Sequence, residues 1–311
     1  MAVMNSIKQF LVRYFTRLNT GMREPQRVTH TIPEAAESKD RPTVNIFLFI
    51  ATFISTTIVG ATVDDSFFVL FISGLPYSIT LILILLSHEF GHFFAARRFG
   101  VRSTLPYFIP FPSLIGTMGA VIKTKSPIPN RRALFYIGVM GPVPGFIVSL
   151  ISVIIGIFLS EIKPLPAGAG GGGYILGDSL LVSFIIKFIH GTIPAGYDVF
   201  LSPYAKAGWF GFLITSLNLM PIGQLDGSHI IYALVGRKQL FIGWTTLAGL
   251  VILSFIWQGW IVWIAMTLII LMVAHPDVPE GAELTMCEKI SGWFCIAIFI
   301  LTFVPVPIEF L

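Results

Sequence analysis

Long apolar stretches, separated by short polar or basic segments, occupy most of the chain beyond residue 43. The first two run from about residue 44 to 63 and from about 67 to 96. Each can span a bilayer, because a helix needs about 20 residues to cross the hydrocarbon core. The pattern predicts an all-α polytopic membrane protein with roughly six or seven transmembrane helices. The remaining apolar stretches lie at about residues 133–160, 207–218, 241–256, 260–274 and 290–308.

The composition supports a membrane protein. Of the 311 residues, 55% are hydrophobic and only 12% are charged, whereas about 25% of a soluble domain is charged. The net charge of +4 is modest, and the basic residues lie between the apolar stretches. This distribution is typical of the positive-inside rule and not of nucleic-acid binding, so the predicted surroundings are the lipid bilayer. The two cysteines, Cys287 and Cys295, do not make a disulfide framework or a cysteine zinc site.

The chain is expected to have two regions. Residues 1–43 form a polar, basic tail without the apolar core of a signal peptide, and their charge predicts a cytoplasmic N-terminus. Residues 44–311 form a membrane-embedded domain, with its core at residues 67–275. Within this domain, residues 161–206 are expected to be a polar, glycine-rich loop that contains a half-buried helix at about 176–189.

Proline and glycine interrupt the apolar sequence at residues 103–125. Residues 105–112 are rich in proline and cannot form a regular helix. Residues 114–122 are apolar and punctuated by glycine, and Lys123 and Lys125 follow them. Irregular backbone at membrane depth is stable only against protein or a wet cavity. We therefore expect a re-entrant, β-like membrane segment here, beside the second span and near the cytoplasmic side.

Ionisable residues lie near the end of the second apolar stretch, in the sequence His88-Glu89-Phe90-Gly91-His92. On a helix, His88 and His92 lie one turn apart on the same face and can share a metal ion. Glu89 can reach a water on that metal, as in H-E-x-x-H metalloproteases. Because an ionisable group in a span costs ~2.5–3.5 kcal/mol or more, such groups indicate a functional site. We predict a zinc site here, and a structural helix with surface histidines is the alternative.

A second polar cluster lies between Asn218 and His229, at the end of the fourth apolar stretch. Pro221 and Gly223 break the helix, and Asp226 follows the break. Both polar clusters precede a basic pair, so both are expected at the same depth near the cytoplasmic face. A catalytic zinc takes three protein ligands and a water, and Asp226 is the natural third ligand. The alternative is a turn in which Asn218 and Asp226 only cap backbone groups.

Other polar residues near the apolar stretches are alternatives for the third ligand. His229 lies three residues after Asp226 and could replace it on the same turn. His275 and Asp277 lie at the end of a span, where a cap or a loop role is commoner. His190 is expected to be exposed in the glycine-rich loop, where a metal role is disfavoured.

The two motifs together, His88-Glu-Phe-Gly-His92 and Asn218 to His229, resemble the site-2 protease family of intramembrane zinc metalloproteases, in the branch of chloroplasts, cyanobacteria and other prokaryotes. The resemblance covers roughly residues 80–275. Two departures are Ser228, where the family usually has glycine, and Ser202, where it usually has histidine; neither removes a ligand or the base. Further matching text is Pro106-Tyr-Phe-Ile-Pro110, Gly116-Thr-Met-Gly-Ala120, Gly141-Pro-Val-Pro-Gly-Phe146 and Ala207-Gly-Trp209.

The resemblance implies regulated intramembrane proteolysis, the hydrolysis of peptide bonds within transmembrane segments of other membrane proteins. It implies one Zn²⁺ per chain, held by His88, His92 and Asp226. Glu89 would act as the general base, and Asn218 would donate to the developing oxyanion. In the family, the segment that matches residues 114–122 lies beside the cleft, and it is expected to receive the substrate as an added strand. The expected substrate-binding residues are Gly116, Thr117, Met118, Gly119 and Pro221.

Two other functions would use similar residues. A metal-ion transporter also needs intramembrane histidine and aspartate, but it should have further polar ligands across both leaflets and internal symmetry. An inactive, protease-like membrane binding module would usually have lost Glu89 or a metal ligand. The outer halves of the spans are apolar and Glu89 is present, so the sequence favours the protease.

Overall fold

The computed structural model describes most of the chain. The described residues are 42–61, 66–164, 174–272, 278–279 and 282–310. Four features of the sequence lie outside them: residues 1–41 of the predicted tail, the glycine-rich run at 167–173, His275 and Asp277.

The described chain is mostly helical, with a 3₁₀ turn at Gly236–Lys238 before α8. The helices are α1 Pro42–Gly60, α2 Phe67–Arg98, α3 Arg131–Met140, α4 Pro142–Phe158, α5 Leu180–His190, α6 Pro203–Asn218, α7 Asp226–Val235, α8 Gln239–Ser254, α9 Trp260–Met272 and α10 Met286–Thr302. The strands are β1 Tyr107–Pro110, β2 Thr117–Val121, β3 Glu161–Pro164, β4 Tyr174–Leu176, β5 Tyr197–Phe200 and β6 Ile308–Phe310.

Three helical segments of the described chain are long and apolar enough to cross a membrane: Pro42–Gly60, Phe68–Arg98 and Arg131–Phe158. The last consists of α3 and α4, which meet at Gly141. Helices α8, α9 and α10 occupy the positions of three further predicted spans, with 16, 13 and 17 described residues. A span takes about 20 residues, so the predicted total of six or seven stays a prediction.

Helix α2 packs against α1, α3, α4 and α6, and α4 packs against α6. Fully buried aromatic side chains fill the contact between α2 and α6, where the ring centroids of Tyr77 and Phe210 are 6.3 Å apart. Phe146 of α4 stacks on Phe212 of α6, with their ring centroids 5.6 Å apart. Helix α3 contacts both α2 and α7. It thereby joins the helix that carries the first polar motif to the helix that carries the second.

The β-like segment expected near residues 103–125 is an antiparallel hairpin of β1 and β2, in which Tyr107 pairs with Val121. Polar side chains of the spans hold the segment by its backbone. Asn45 Nδ2 of α1 donates to the Pro106 carbonyl over 2.9 Å, and Tyr77 Oη of α2 donates to the Ile115 carbonyl over 2.9 Å. The proline-rich segment therefore keeps its backbone carbonyls paired beside two apolar helices.

The prediction of an all-α protein is wrong for several short segments, and residues 161–206 are more than a loop. Strand β3 pairs with β5, and β4 pairs with β6 near the end of the chain. Each of these strands has only three or four residues. Their partners are distant in sequence, so a local pattern of apolar residues does not reveal the pairing.

The Ser202-Pro203 departure has a local structural role. Ser202 caps α6 through a hydrogen bond that its side chain accepts from Ala205 N, and Pro203 occupies the first turn, where a missing N–H costs nothing. The Ser202 hydroxyl also donates to the Gly156 carbonyl of α4 over 2.7 Å. Serine therefore fixes the start of α6 and its contact with α4.

Candidate metal centre

Helix α2 carries the first motif in a continuous helical turn, and His88, Glu89 and His92 are only 4%, 5% and 6% exposed. The side chains of His88 and His92 converge, and their Nε2 atoms are 3.0 Å apart. This is the arrangement expected from a spacing of four residues on a helix.

Asp226 reaches this pair from α7. Its Oδ2 atom lies 3.3 Å from Nε2 of His88 and 3.3 Å from Nε2 of His92. The ligand atoms of these three side chains all lie within 4.8 Å of one another. Among the described residues, no other histidines, cysteines, aspartates or glutamates form such a group. His229 lies one turn further along α7 and is outside this group. The structure thus brings together the three ligands predicted from the sequence.

The donor set suits a catalytic zinc. Two imidazole nitrogens and one carboxylate oxygen are ligands that zinc takes in sites that keep a fourth position open. His92 Nδ1 lies 2.7 Å from the Ile137 carbonyl of α3. A carbonyl can only accept, so Nδ1 carries the proton and Nε2 presents its lone pair to the cluster. The tautomer of His92 is therefore the one that a metal ligand requires.

Two glycines let α3 and α4 approach the motif closely. A Cβ atom on Gly91 would lie 1.6 Å from the Met140 carbonyl oxygen, and one on Gly141 would lie 2.1 Å from His92 Nε2. No side chain larger than hydrogen fits at either position without moving the backbone or the ligand. No pattern in the sequence indicated a role for these glycines in the site, although Gly141 opens the Gly-Pro-Val-Pro-Gly run.

Two further polar contacts surround the cluster. Asn218, the last residue of α6, places its Nδ2 atom 3.2 Å from His88 Nε2. The backbone N–H of Ile122 makes a polar contact with the Glu89 carboxylate. Ile122 follows β2 directly, so the hairpin is tied to the glutamate of the motif. No pattern in the sequence pointed to this contact, because it joins residues through the backbone.

The predicted substrate-binding residues have different surroundings. Met118 is 55% exposed, and a Cβ atom on Gly119 would meet nothing within 4 Å. Gly116 and Thr117 instead hold the hairpin: Ser55 donates to the Gly116 carbonyl, and the buried Thr117 hydroxyl donates to the Ile109 carbonyl. Pro221 is buried, and its carbonyl accepts from Gln239 Nε2.

His190 was expected to be exposed in a loop, and this expectation is wrong. It is the last residue of α5 and is half-buried. Its Nε2 atom lies 3.0 Å from the Ile157 carbonyl at the end of α4. The contact gives His190 a structural partner, and it lies outside the three-residue cluster.

Apolar helices that bury two histidines and an adjacent glutamate, with an aspartate brought to the same point from another helix, are typical of a membrane metallopeptidase. The family follows from a comparison with known families. Residues 76–256, more than half of the chain, match the model of peptidase family M50, and the chain belongs to this family, that of the site-2 proteases.

The chain is 32% identical over 166 residues to the "Probable zinc metalloprotease EGY2, chloroplastic" of Arabidopsis thaliana, a match that covers 53% of this chain and 29% of that protein. It is 32% identical over 192 residues to the "Probable zinc metalloprotease EGY1, chloroplastic" of Oryza sativa subsp. japonica, covering 58% and 32%. It is 29% identical over 233 residues to the EGY2 protein of Oryza sativa subsp. indica, covering 72% and 41%.

This chain therefore spans about a third of the length of these curated relatives. The family match confirms the predicted family. The names of the relatives agree with the predicted class of zinc metalloprotease and with a zinc cofactor, and the three clustered side chains are suitable metal ligands.

Proposed function

We propose that this protein is an intramembrane zinc metalloprotease that hydrolyses peptide bonds within transmembrane segments of other membrane proteins. One observation carries the proposal. His88, Glu89 and His92 are buried on a helix long and apolar enough to cross a membrane, and Asp226 completes their cluster from a second helix. Buried ionisable groups at such a position are costly without a function.

His88, His92 and Asp226 would hold the metal. Zinc bound by such ligands supplies Lewis-acid activation of water and of the scissile carbonyl. Three protein ligands would leave a fourth coordination position to water or substrate, as in catalytic zinc sites. The Ile137 carbonyl fixes the His92 ring, which orients its Nε2 atom toward the cluster.

Glu89 is proposed as the proton carrier of the reaction. Its carboxylate accepts the proton of the attacking water and then donates it to the nitrogen of the leaving amine. The Ile122 N–H contacts the carboxylate and helps to orient it. Asn218 Nδ2, 3.2 Å from His88 Nε2, is the proposed donor to the oxyanion of the tetrahedral intermediate.

The substrate is proposed to bind as a strand added to β2. Among the described strands, β2 pairs with β1 alone, so its other edge is available to a peptide. Strand β2 leads to Ile122, which contacts Glu89, and an added strand would therefore pass the reacting groups. Met118 and Gly119 face open space and are the hairpin residues best placed to meet it. An unwound substrate exposes peptide bonds that a helix would shield.

The proposed topology has a cytoplasmic N-terminus, six or seven spans in total and the active site near the cytoplasmic side. Arg97 and Arg98 end α2 one to two turns after His92, and basic residues favour the cytoplasmic face. Cysteines introduced at Lys125 and Lys238 should react with an impermeant reagent only from that side. Labelling of either position from the outer face would contradict this topology.

The two alternative functions lack support. A metal-ion transporter needs a series of ligand groups, whereas the described residues contain one candidate cluster, with a glutamate beside it. An inactive binding module does not need the general base, and Glu89 is present.

The experiment is cleavage of a model transmembrane substrate by the purified protein in detergent or liposomes. We expect cleavage that a zinc chelator abolishes and added zinc restores. Cleavage that persists at full rate after complete removal of the metal would contradict the proposal, as would zinc-loaded protein that cleaves no transmembrane substrate in a panel.

A further inference from the structure

The loop that carries Asp226 is fastened by a buried polar network away from the metal ligands. The loop runs from Asn218, at the end of α6, to Asp226, at the start of α7. Ser228 and Gln239 are 0% and 2% exposed and lie behind this loop. Buried polar side chains of this kind are stable only when their hydrogen bonds are made.

The hydrogen bonds of the network bracket Asp226. The Ser228 hydroxyl donates to the Gly223 carbonyl over 2.6 Å. Gln239 Nε2 donates to the Ser228 hydroxyl over 2.8 Å and, over a longer 3.4 Å, to the Pro221 carbonyl. Gly223 lies three residues before Asp226 and Ser228 lies two after it, so the bond between them closes a short ring around the ligand.

Helix α7 begins without a polar N-cap side chain. Its N-cap residue is Leu225, which makes no side-chain cap hydrogen bond. A polar N-cap side chain usually stabilises the start of a helix, and here the Ser228 hydroxyl ties the first turn to the loop instead. Gln239 is the first residue of α8, so the network also fixes this turn to the next helix.

We propose that Ser228 and Gln239 form a positioning pair that holds the Asp226 carboxylate at the metal centre. This inference rests on the proposed function only for the identity of the metal. Neither side chain touches the cluster. Both act through the backbone of the loop, as outer partners that orient a metal ligand do. Residue 228 is serine in this chain, and its hydroxyl is what links Gly223 to Gln239.

The test measures zinc affinity, by competition with a chromophoric chelator, on Gln239→Met and Ser228→Ala. Each change removes hydrogen bonds and keeps a side chain that tolerates burial in a helix. We expect each to raise the zinc dissociation constant about 10–100-fold, as loss of outer partners typically does. The matched control is Gln258→Met, the same chemical change at an exposed position beyond the other end of α8, and it should bind zinc like the wild type.

Two further readouts separate positioning from general stability. The visible spectrum of the Co²⁺-substituted protein should change in Gln239→Met, because the carboxylate that binds the metal is displaced, and it should stay unchanged in Gln258→Met. The double variant Gln239→Met/Ser228→Ala should lose about as much affinity as either single variant, because the two side chains act as one unit.

Wild-type zinc affinity and an unchanged cobalt spectrum in both single variants would overturn the inference, and so would losses that simply add. If Gln239→Met does not fold, Ser228→Ala decides alone, since alanine favours the helix. A wild-type protein that binds zinc tightly but cleaves no transmembrane substrate would defeat the proposed function and leave this inference standing.

Discussion

The two regions that form the metal centre place their ligands by different means. His88 and His92 belong to one 32-residue helix, and the helical repeat alone sets their spacing. Asp226 follows a broken segment, where turns and buried hydrogen bonds replace regular structure. A ligand on a regular element is thus positioned by local geometry, whereas a ligand after a break depends on distant contacts. The two kinds of ligand should respond to different mutations.

The largest expected effect concerns the ligand after the break. Asp226→Asn should lose most of its zinc and abolish cleavage, because the amide is a poor replacement for the carboxylate that faces both imidazoles. Zinc stoichiometry on the purified variant measures this. His229→Ala, on the same helix, is the control and should keep the metal, as should His275→Ala. Full zinc content in Asp226→Asn, together with loss of zinc in His229→Ala, would show that His229 and not Asp226 is the third ligand.

The next effect concerns α2, the helix that carries His88 and His92. Its histidines should bind zinc less tightly when the close approach of Gly141 is blocked. Gly141→Ala places a methyl carbon 2.1 Å from His92 Nε2. This clash must displace the ring or the backbone, so we expect zinc affinity to fall at least about 10-fold with a loss of stability. Gly249→Ala is the control, because a Cβ there meets nothing within 4 Å, and alanine favours a helix interior by about 1 kcal/mol. Equal zinc binding by the two variants would show that the close approach at Gly141 is unimportant.

The smallest effect should appear at the hairpin, away from both sets of ligands. Ser55→Ala removes a hydrogen bond to the Gly116 carbonyl and should slow cleavage by up to about 10-fold, since one such bond contributes roughly 1 kcal/mol. Zinc content should not change. Ser152→Ala removes a hydroxyl that bonds only within α4 and should leave cleavage rates unaltered. If Ser55→Ala lowers zinc content instead, the hairpin supports the metal and not the substrate.

This contrast also explains how far the sequence could predict the structure. The His88–His92 spacing and the break before Asp226 are local properties, and helical geometry and proline chemistry make them readable. Their convergence was inferred from matching depth in the membrane and from the family resemblance. The contacts made by Gly141 and Ile122 join backbone to distant side chains, and no local pattern encodes them.

The short strands were missed for a related reason. Strands β3 to β6 pair across long gaps in the sequence or lie near the end of the chain. Each is too short for an alternating pattern to show. The hairpin of β1 and β2 was foreseen as β-like, because proline excludes a helix there and glycine permits turns. The polar side chains that hold it, such as Asn45, became apparent only from the folded arrangement.

The central claim is that the buried cluster is a catalytic zinc site, and Glu89→Gln tests it most directly. Glutamine keeps the size of the side chain and its hydrogen bonding but cannot carry the proton. The variant, assayed for zinc content and for cleavage of a model transmembrane substrate, should hold one zinc per chain while cleavage falls by about 10²–10⁴-fold or more. Turnover near the wild-type rate in the zinc-loaded variant would contradict the account.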